Sequence, residues 1–312
     1  MPRPLQEILD PIIEHDSSLY TDTTWGVAIL DNNGQLEYGH QPDEVIAAAS
    51  FTKLSAAYAL DRVGTPLDTS VEVQASDYRR GNGILQYAPE GHQLTLGDAA
   101  ELALKISDNT ALRIIMRSLG GPAEVNDVLF DDSQTSRGKG LGLYVTHFGP
   151  VEGEQDSDPA AAFTQGATTA RESARLLQQV LIVPRFAAAL QHSNYGGGLR
   201  NEIHPMEPTT LGQRMRIRWA QWTGDFTYLQ EHSGYPLTQY PGKEGTVIDD
   251  EEHLRHHAAQ IGDRIVSVMT ESQTYEYLPS NPEEHHVRQL QGRIGTIVKE
   301  GCGEDDAWPK TY

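Results

Sequence analysis

The chain has 312 residues, enough to bury a large core as one domain or as two closely packed ones, and too many for a miniature scaffold held by staples. Its 44 acidic and 24 basic side chains leave a formal net charge of -20, which repels nucleic acid and anionic lipid, so neither is expected as a partner. One cysteine, Cys302, rules out an intramolecular disulfide.

The first ten residues lack the apolar run of a signal peptide, and no later stretch reaches the roughly 18 uninterrupted apolar residues of a membrane span. The expectation is a soluble monomer without membrane contact. It would be cytoplasmic on the sequence as it stands, or periplasmic or secreted where a signal segment has been removed.

In chain order, Leu5, Ile8, Leu9, Ile12 and Ile13 recur at helical spacing and predict an amphipathic helix over residues 4–15. Trp25 to Leu30 forms an apolar strand, Asp31-Asn32-Asn33-Gly34 carries turn chemistry, and Gln35 to His40 resumes the extended pattern, which together predict a β-hairpin. From Ala47 to Arg62 the chain is rich in Ala and Leu without Pro or Gly, so a buried helix is expected to begin close to Ser50.

Residues 47–192 are mostly helical by pattern. Thr95 to Ile106 and Thr110 to Leu119 have clear starts, and the second stops at Gly120-Gly121-Pro122. Asp131 to Gly140 and Phe148 to Thr164 read as loops, and Thr168 to Leu181 returns to helix. The last third brings back a strand at Ile265 to Thr270 and closes with a helix over His286 to Val298. This order predicts an α/β (α+β) molecule in which an antiparallel sheet is flanked by helices and carries an inserted all-helical domain. The expected boundaries are 1–46 with 193–312 for the sheet domain and 47–192 for the helical one, with the active site in the cleft between them.

Ser50-Phe51-Thr52-Lys53 is an S-x-x-K motif whose spacing puts a lysine amine one helical turn from a serine hydroxyl, which needs such a base to become a nucleophile. A second copy, Ser136-Arg137-Gly138-Lys139, lies in a glycine-bearing polar segment where no helix would hold the pair in register. Ser107-Asp108-Asn109 follows a predicted helix, and Lys243-Glu244-Gly245-Thr246 precedes strand-like sequence. S-x-x-K, S-D-N and K-T-G form one recognised catalytic set. His256-His257 and His285-His286 match no metal-ligand spacing and read as surface histidines, so neither metal nor cofactor is expected. Residues 201–242, with Arg214, Arg216, Arg218, Trp219 and Trp222, read either as a substrate lid or as an extra packed subdomain.

On these motifs the sequence resembles the class A β-lactamases, within the wider group of β-lactamase-like, penicillin-binding-protein-like serine hydrolases. Thr110-Ala111 after the S-D-N motif, Gly120-Gly121-Pro122, Leu141-Gly142, Val145-Thr146 and Thr168-Thr169-Ala170-Arg171 extend the likeness over residues 4–190, and more loosely over 242–300. The resemblance implies a β-lactamase/transpeptidase-like fold and hydrolysis of a small β-lactam substrate through an acyl-Ser50 intermediate. It makes Lys53 the partner of Ser50, Ser107 the proton relay to the leaving nitrogen, and Asn109 a ligand of the substrate's acylamide side chain. Lys243 would supply positive charge near the substrate carboxylate. The oxyanion hole would be the backbone N–H groups of Ser50 and Thr246.

The same resemblance makes Glu152 the base for the deacylating water, with Glu154, Asp156 and Asp158 as neighbours. Tyr87 matches an aromatic wall at the mouth of the site, or serves ordinary packing. Two positions depart from the family. Asp156 stands where an asparagine commonly helps hold the water, and Glu244, followed by Gly245 and Thr246, stands where the family has Thr or Ser. An ionised glutamate cannot donate to a substrate carboxylate, although strand alternation could turn it away. Three readings follow: a β-lactamase, a D-alanyl carboxypeptidase or esterase using the same nucleophile, and a catalytically weak ligand-binding relative.

Overall fold

The computed structural model describes residues 4–19, 23–134, 143, 145–148, 166–191, 242–248 and 253–272, with 290–291, 293–295 and 297–298 near the C-terminus. Helix α1 (Leu5–Leu19) is followed by strands β1 (Thr23–Leu30) and β2 (Leu36–His40). These two pair antiparallel as the predicted hairpin, with a register shift between Ile29 and Leu30. The turn is built by Asp31, whose carboxylate accepts from Asn33 N and Gln35 N.

Next come a two-residue strand β3 (Ile46–Ala47), a 3₁₀ turn over Ala49–Phe51 and helix α2 (Thr52–Val63), closed by Gly64 in the left-handed conformation. The helix expected to begin close to Ser50 opens with this 3₁₀ turn and becomes α-helical at Thr52, and the Ala-rich run ahead of it is interrupted at Ala49, whose φ is positive at 46°. Strands β4 (Ser70–Glu72) and β5 (Gln93–Thr95) make a small antiparallel pair. Helices α3 (Leu96–Lys105), α4 (Asn109–Ser118) and α5 (Pro122–Gln134) follow. Because α5 reaches Gln134, the expected loop at Asp131 begins inside a helix.

Strands β6 (His147–Phe148) and β7 (Gly166–Thr168) join β3 in a three-stranded sheet of order β3-β7-β6. Helix α6 (Ala170–Val180) starts two residues later than expected because Thr169 caps it, accepting from Glu172 N, while Thr168 belongs to β7. Helix α7 (Pro184–Gln191) ends the central block. Strands β8 (Gly242–Ile248), β9 (His253–Ile261) and β10 (Arg264–Ser272) complete the main sheet, in the order β2-β1-β10-β9-β8. Its pairs are all antiparallel, and the β1–β10 pair joins the N-terminal hairpin to the last third of the chain, with Val27 opposite Val268.

Alternation along the strands gives each sheet face its own core. Trp25, Val27 and Ile29 of β1, with Val266 and Val268 of β10, pack with Leu9 and Ile13 of α1 and with Leu290, Ile294 and Val298. Ala28 and Leu30, with Ile265 and Met269, face α2, α6 and the helical block. Full burial of each large apolar side chain contributes about 1.5–3 kcal/mol. On the helical side the sheet also buries a polar pair, Ser173 and Ser267, whose hydroxyls lie 2.8 Å apart and satisfy each other. Among the described residues no helix is long and apolar enough to cross a membrane.

Candidate active site

Ser50 lies in the 3₁₀ turn that leads into α2, so its backbone N–H and oxygen sit at the positive end of the helix dipole. One turn on, Lys53 is buried in α2 and its Nζ donates to Ser50 Oγ at 3.0 Å and to Asn109 Oδ1 at 2.9 Å. Ser107 Oγ donates to Ser50 Oγ at 2.8 Å, and Lys243 Nζ donates to Ser107 Oγ at 3.1 Å. A single hydrogen-bonded chain thus runs Lys243, Ser107, Ser50, Lys53, Asn109. It joins β8 to the linker between α3 and α4, to the 3₁₀ turn, and on to the first residue of α4.

Burial pushes the Lys53 amine from its ordinary value down to about 8, against the opposing pull of the Asp108 charge. A neutral amine is therefore within reach near neutral pH, which is what a base for the Ser50 proton requires.

Asp108 received no role from the sequence, although an Asp just before a helix is an N-cap signal. Its carboxylate is buried. It caps α4 by accepting from Ala111 N at 2.9 Å and also accepts Ile84 N at 2.7 Å and Leu85 N at 2.9 Å. Burial raises its pKa above the ordinary value, while these three backbone donors and the Lys53 charge oppose the rise. The carboxylate ties the 83–85 segment to the start of α4, and both neighbours of Asp108 belong to the chain of contacts around Ser50. Gly83, at φ 109°, leaves the room: a Cβ there would stand 2.2 Å from Asp108 Cγ. Ser107 is itself held at φ 57°.

Tyr87 ends a 3₁₀ turn over Leu85–Tyr87 and is 53% exposed, so it is not a packing residue. Glu244, Gly245 and Thr246 lie in β8, opposite His257, His256 and Arg255 of β9. The side chains of Glu244 and Thr246 lie outside the described residues, as do Glu152, Asp156 and the second S-x-x-K copy at Ser136. At the approach to Glu152, Val145 N and Thr146 N donate to the carboxylate of Glu172 on α6.

The paired histidines 256 and 257 read from the sequence as surface residues. Both are buried, because β9 is an interior strand covered on both faces. The other pair, His285-His286, lies outside the described residues.

A D-alanyl-D-alanine endopeptidase of Pseudomonas aeruginosa is 27% identical over 182 residues, 55% of each chain. Beta-lactamase CTX-M-8 of Citrobacter amalonaticus is 33% identical over 104 residues, 32% of this chain and 35% of its own. The chain thus matches about half the length of the first relative and about a third of the second. Among solved structures, a β-lactamase from Sphaerobacter thermophilus gives a TM-score of 0.64 at 19% identity, covering 96% of this chain and 97% of that one. A PBP-A variant in an acyl-enzyme complex with penicillin G gives a TM-score of 0.64 at 18% identity, over 96% and 97%. These two establish a β-lactamase/transpeptidase-like fold. The model of the Beta-lactamase enzyme family matches residues 4–301, and the chain belongs to that family.

Proposed function

We propose that this protein is a serine hydrolase that opens a β-lactam amide through an acyl-Ser50 intermediate, in the cleft between a sheet domain (1–46 with 193–312) and a helical domain (47–192). The observation that carries the reading is the unbroken chain of contacts from Lys243 through Ser107, Ser50 and Lys53 to Asn109. A binding module has no need of a nucleophile flanked by two amines and a hydroxyl relay.

In this mechanism the neutral Lys53 amine takes the Ser50 proton as Oγ bonds to the lactam carbonyl carbon. The backbone N–H groups of Ser50 and Thr246 hold the oxyanion, and β8 packs against the turn that carries Ser50. The C–N bond then breaks, and the proton reaches the leaving nitrogen through Ser107, beside the positive charge of Lys243. Asn109 orients the acylamide group. Glu152 takes a proton from water as the water oxygen attacks the acyl carbon, and that proton passes on to Ser50 Oγ as the acyl C–O bond breaks, which regenerates Ser50 and releases the free acid, with Asp156 standing at the position that commonly helps hold the water.

A second reading keeps the nucleophile and changes the substrate to a D-alanyl peptide or an ester. It is favoured by the endopeptidase relative and by Glu244 at the family's Thr or Ser position. Intact-protein mass spectrometry over time with benzylpenicillin separates the two. A transient adduct on Ser50 supports the first reading, a long-lived one the second, and no adduct overturns both. Glu152→Gln should make the adduct accumulate; accumulation in Glu154→Gln with normal turnover in Glu152→Gln would move the base by two residues.

A further inference from the structure

We propose that His256 is a positioning residue for the nucleophile turn, a role that rests on the acyl-Ser50 reading above. His256 sits on β9 and is 1% exposed. Its side chain lies on the helical-block face of the sheet, shared with Ala258, one strand behind β8 and opposite Gly245. The β9–β10 pairing runs to His257 opposite Val268 and resumes at Leu254 opposite Glu271. Between those pairs, Thr270 N donates to the His256 ring at Nδ1, 3.3 Å away, so the imidazole takes a bond that a strand carbonyl would ordinarily accept.

That donor assigns the tautomer. Nδ1 accepts, so Nε2 carries the hydrogen and donates to the carbonyl oxygen of Ala47 at 2.7 Å. Ala47 is three residues before Ser50, and the chain between them is forced through a left-handed alanine, Ala49 at φ 46°. A non-glycine residue in that conformation costs about 1–2 kcal/mol and persists only where its surroundings hold it. Contacts among the described residues supply that hold. Ala48 N donates to Gly166 O at 2.6 Å, Ala47 N meets the Glu271 carboxylate at 3.4 Å, and His256 holds the Ala47 carbonyl. The imidazole also lies against the ring of Phe51, next to the nucleophile, with centroids 5.5 Å apart.

One buried side chain therefore links β10, β9 and the two residues that flank the Ala48–Ser50 stretch. It acts on Ser50 through the backbone and touches no reacting atom. Its loss loosens the turn and misaligns Oγ with Lys53 and Ser107. Loss of a near-attack geometry lowers the chemical rate more than it weakens substrate binding.

The test compares wild type, His256→Phe, which keeps a flat ring without polar atoms, and His256→Gln, which keeps one donor and one acceptor. Single-turnover acylation by benzylpenicillin and amide exchange at residues 47–51 are measured on each. The proposal expects at least a tenfold slower acylation constant in the Phe variant, little change in apparent substrate affinity, faster exchange across the turn, and recovery of most of the rate with Gln. Unchanged acylation, or unchanged exchange, overturns it. If the Phe variant does not fold, the Gln variant and the ¹⁵N shifts of the wild-type imidazole decide, since an Nδ1-protonated ring contradicts the tether. A wild type that takes no adduct refutes the hydrolase reading instead, and the exchange and nitrogen shifts still judge the tether alone.

Discussion

At the scale of single residues, the amine of Lys53 sets a pH dependence with a definite sign. Its pKa is lowered to about 8 by burial, and the form that can accept the Ser50 proton is the neutral one. Acylation should therefore accelerate about tenfold per pH unit on rising toward about 8 and level off above it. Single-turnover rates with benzylpenicillin between pH 6 and 9 check this, and a flat profile would remove Lys53 as the base. Glu244 tests substrate class. Replacing it by Thr restores a hydroxyl donor and removes a negative charge, and one charge-assisted hydrogen bond is worth about 1.5–3 kcal/mol. Glu244→Thr should raise kcat/KM about tenfold or more for carboxylate-bearing β-lactams and little for a neutral ester. Equal changes for both substrates would show that Glu244 does not face the carboxylate. The roles expected of Ser50, Lys53, Ser107 and Lys243 come from the family resemblance that their motifs carry, and these side chains meet in space. His256 and Asp108 are not visible that way. A histidine in a strand reads as exposed unless both sheet faces are known to be covered, and a buried acid reads as a cap without revealing that it also serves a second loop.

Among the elements, α5, α7 and β9 are not expected from the sequence, whereas helices α1, α3, α4 and α6 and strands β1, β2 and β10 follow from periodicity, since each carries an apolar face over several turns or alternations. The short strands β3, β4, β5, β6 and β7 do not, because two or three residues have no period to read. Their positions are set by what they pair with, and β3 matters most, since Ala47 is both its last residue and the handle held by His256. The junction between the 83–85 segment and α4 depends on Gly83, whose replacement by Ala brings a left-handed strain and a Cβ driven into Asp108. Gly64 supplies the control: it shares a positive φ, at 74°, and a Cβ added there would meet nothing within 4 Å. Gly64→Ala should cost about 1 kcal/mol, and Gly83→Ala about 2–4 kcal/mol with a loss of acylation rate. Urea unfolding of both variants measures the difference. Equal costs would mean that Asp108 moves aside freely and that its three backbone bonds are not needed to hold the site.

For the whole molecule, the candidate site is assembled from parts far apart in sequence. Lys243 arrives on β8, which is hydrogen-bonded into the sheet through β9 and β10, and β10 pairs with β1 from near the other end of the chain. Helical contacts are local and form early, whereas such end-to-end strand pairing carries a large loop-closure cost and comes late. On refolding from urea, far-UV ellipticity should recover ahead of the capacity of Ser50 to be acylated. Simultaneous recovery of both signals would show that the sheet forms with the helices. The same end-to-end arrangement explains why the fold class can be read from the order of elements, strands first and last with helices between, while the pairing of particular residues such as Val27 with Val268 cannot.

The left-handed backbones of Ala49 and Ser107 bracket the nucleophile in space, and neither residue is a glycine. Each holds an energy of about 1–2 kcal/mol against the fold. A population of variants selected only for survival of heat would accumulate glycine or asparagine at these two positions, since both residues tolerate the conformation at less cost. Selection for turnover acts in the opposite direction, because a side chain at 49 narrows the turn's freedom and the hydroxyl at 107 contacts Ser50. On the acyl-Ser50 reading, the two positions are where thermal margin and rate would stand opposed, and lineages under the two pressures should diverge there first.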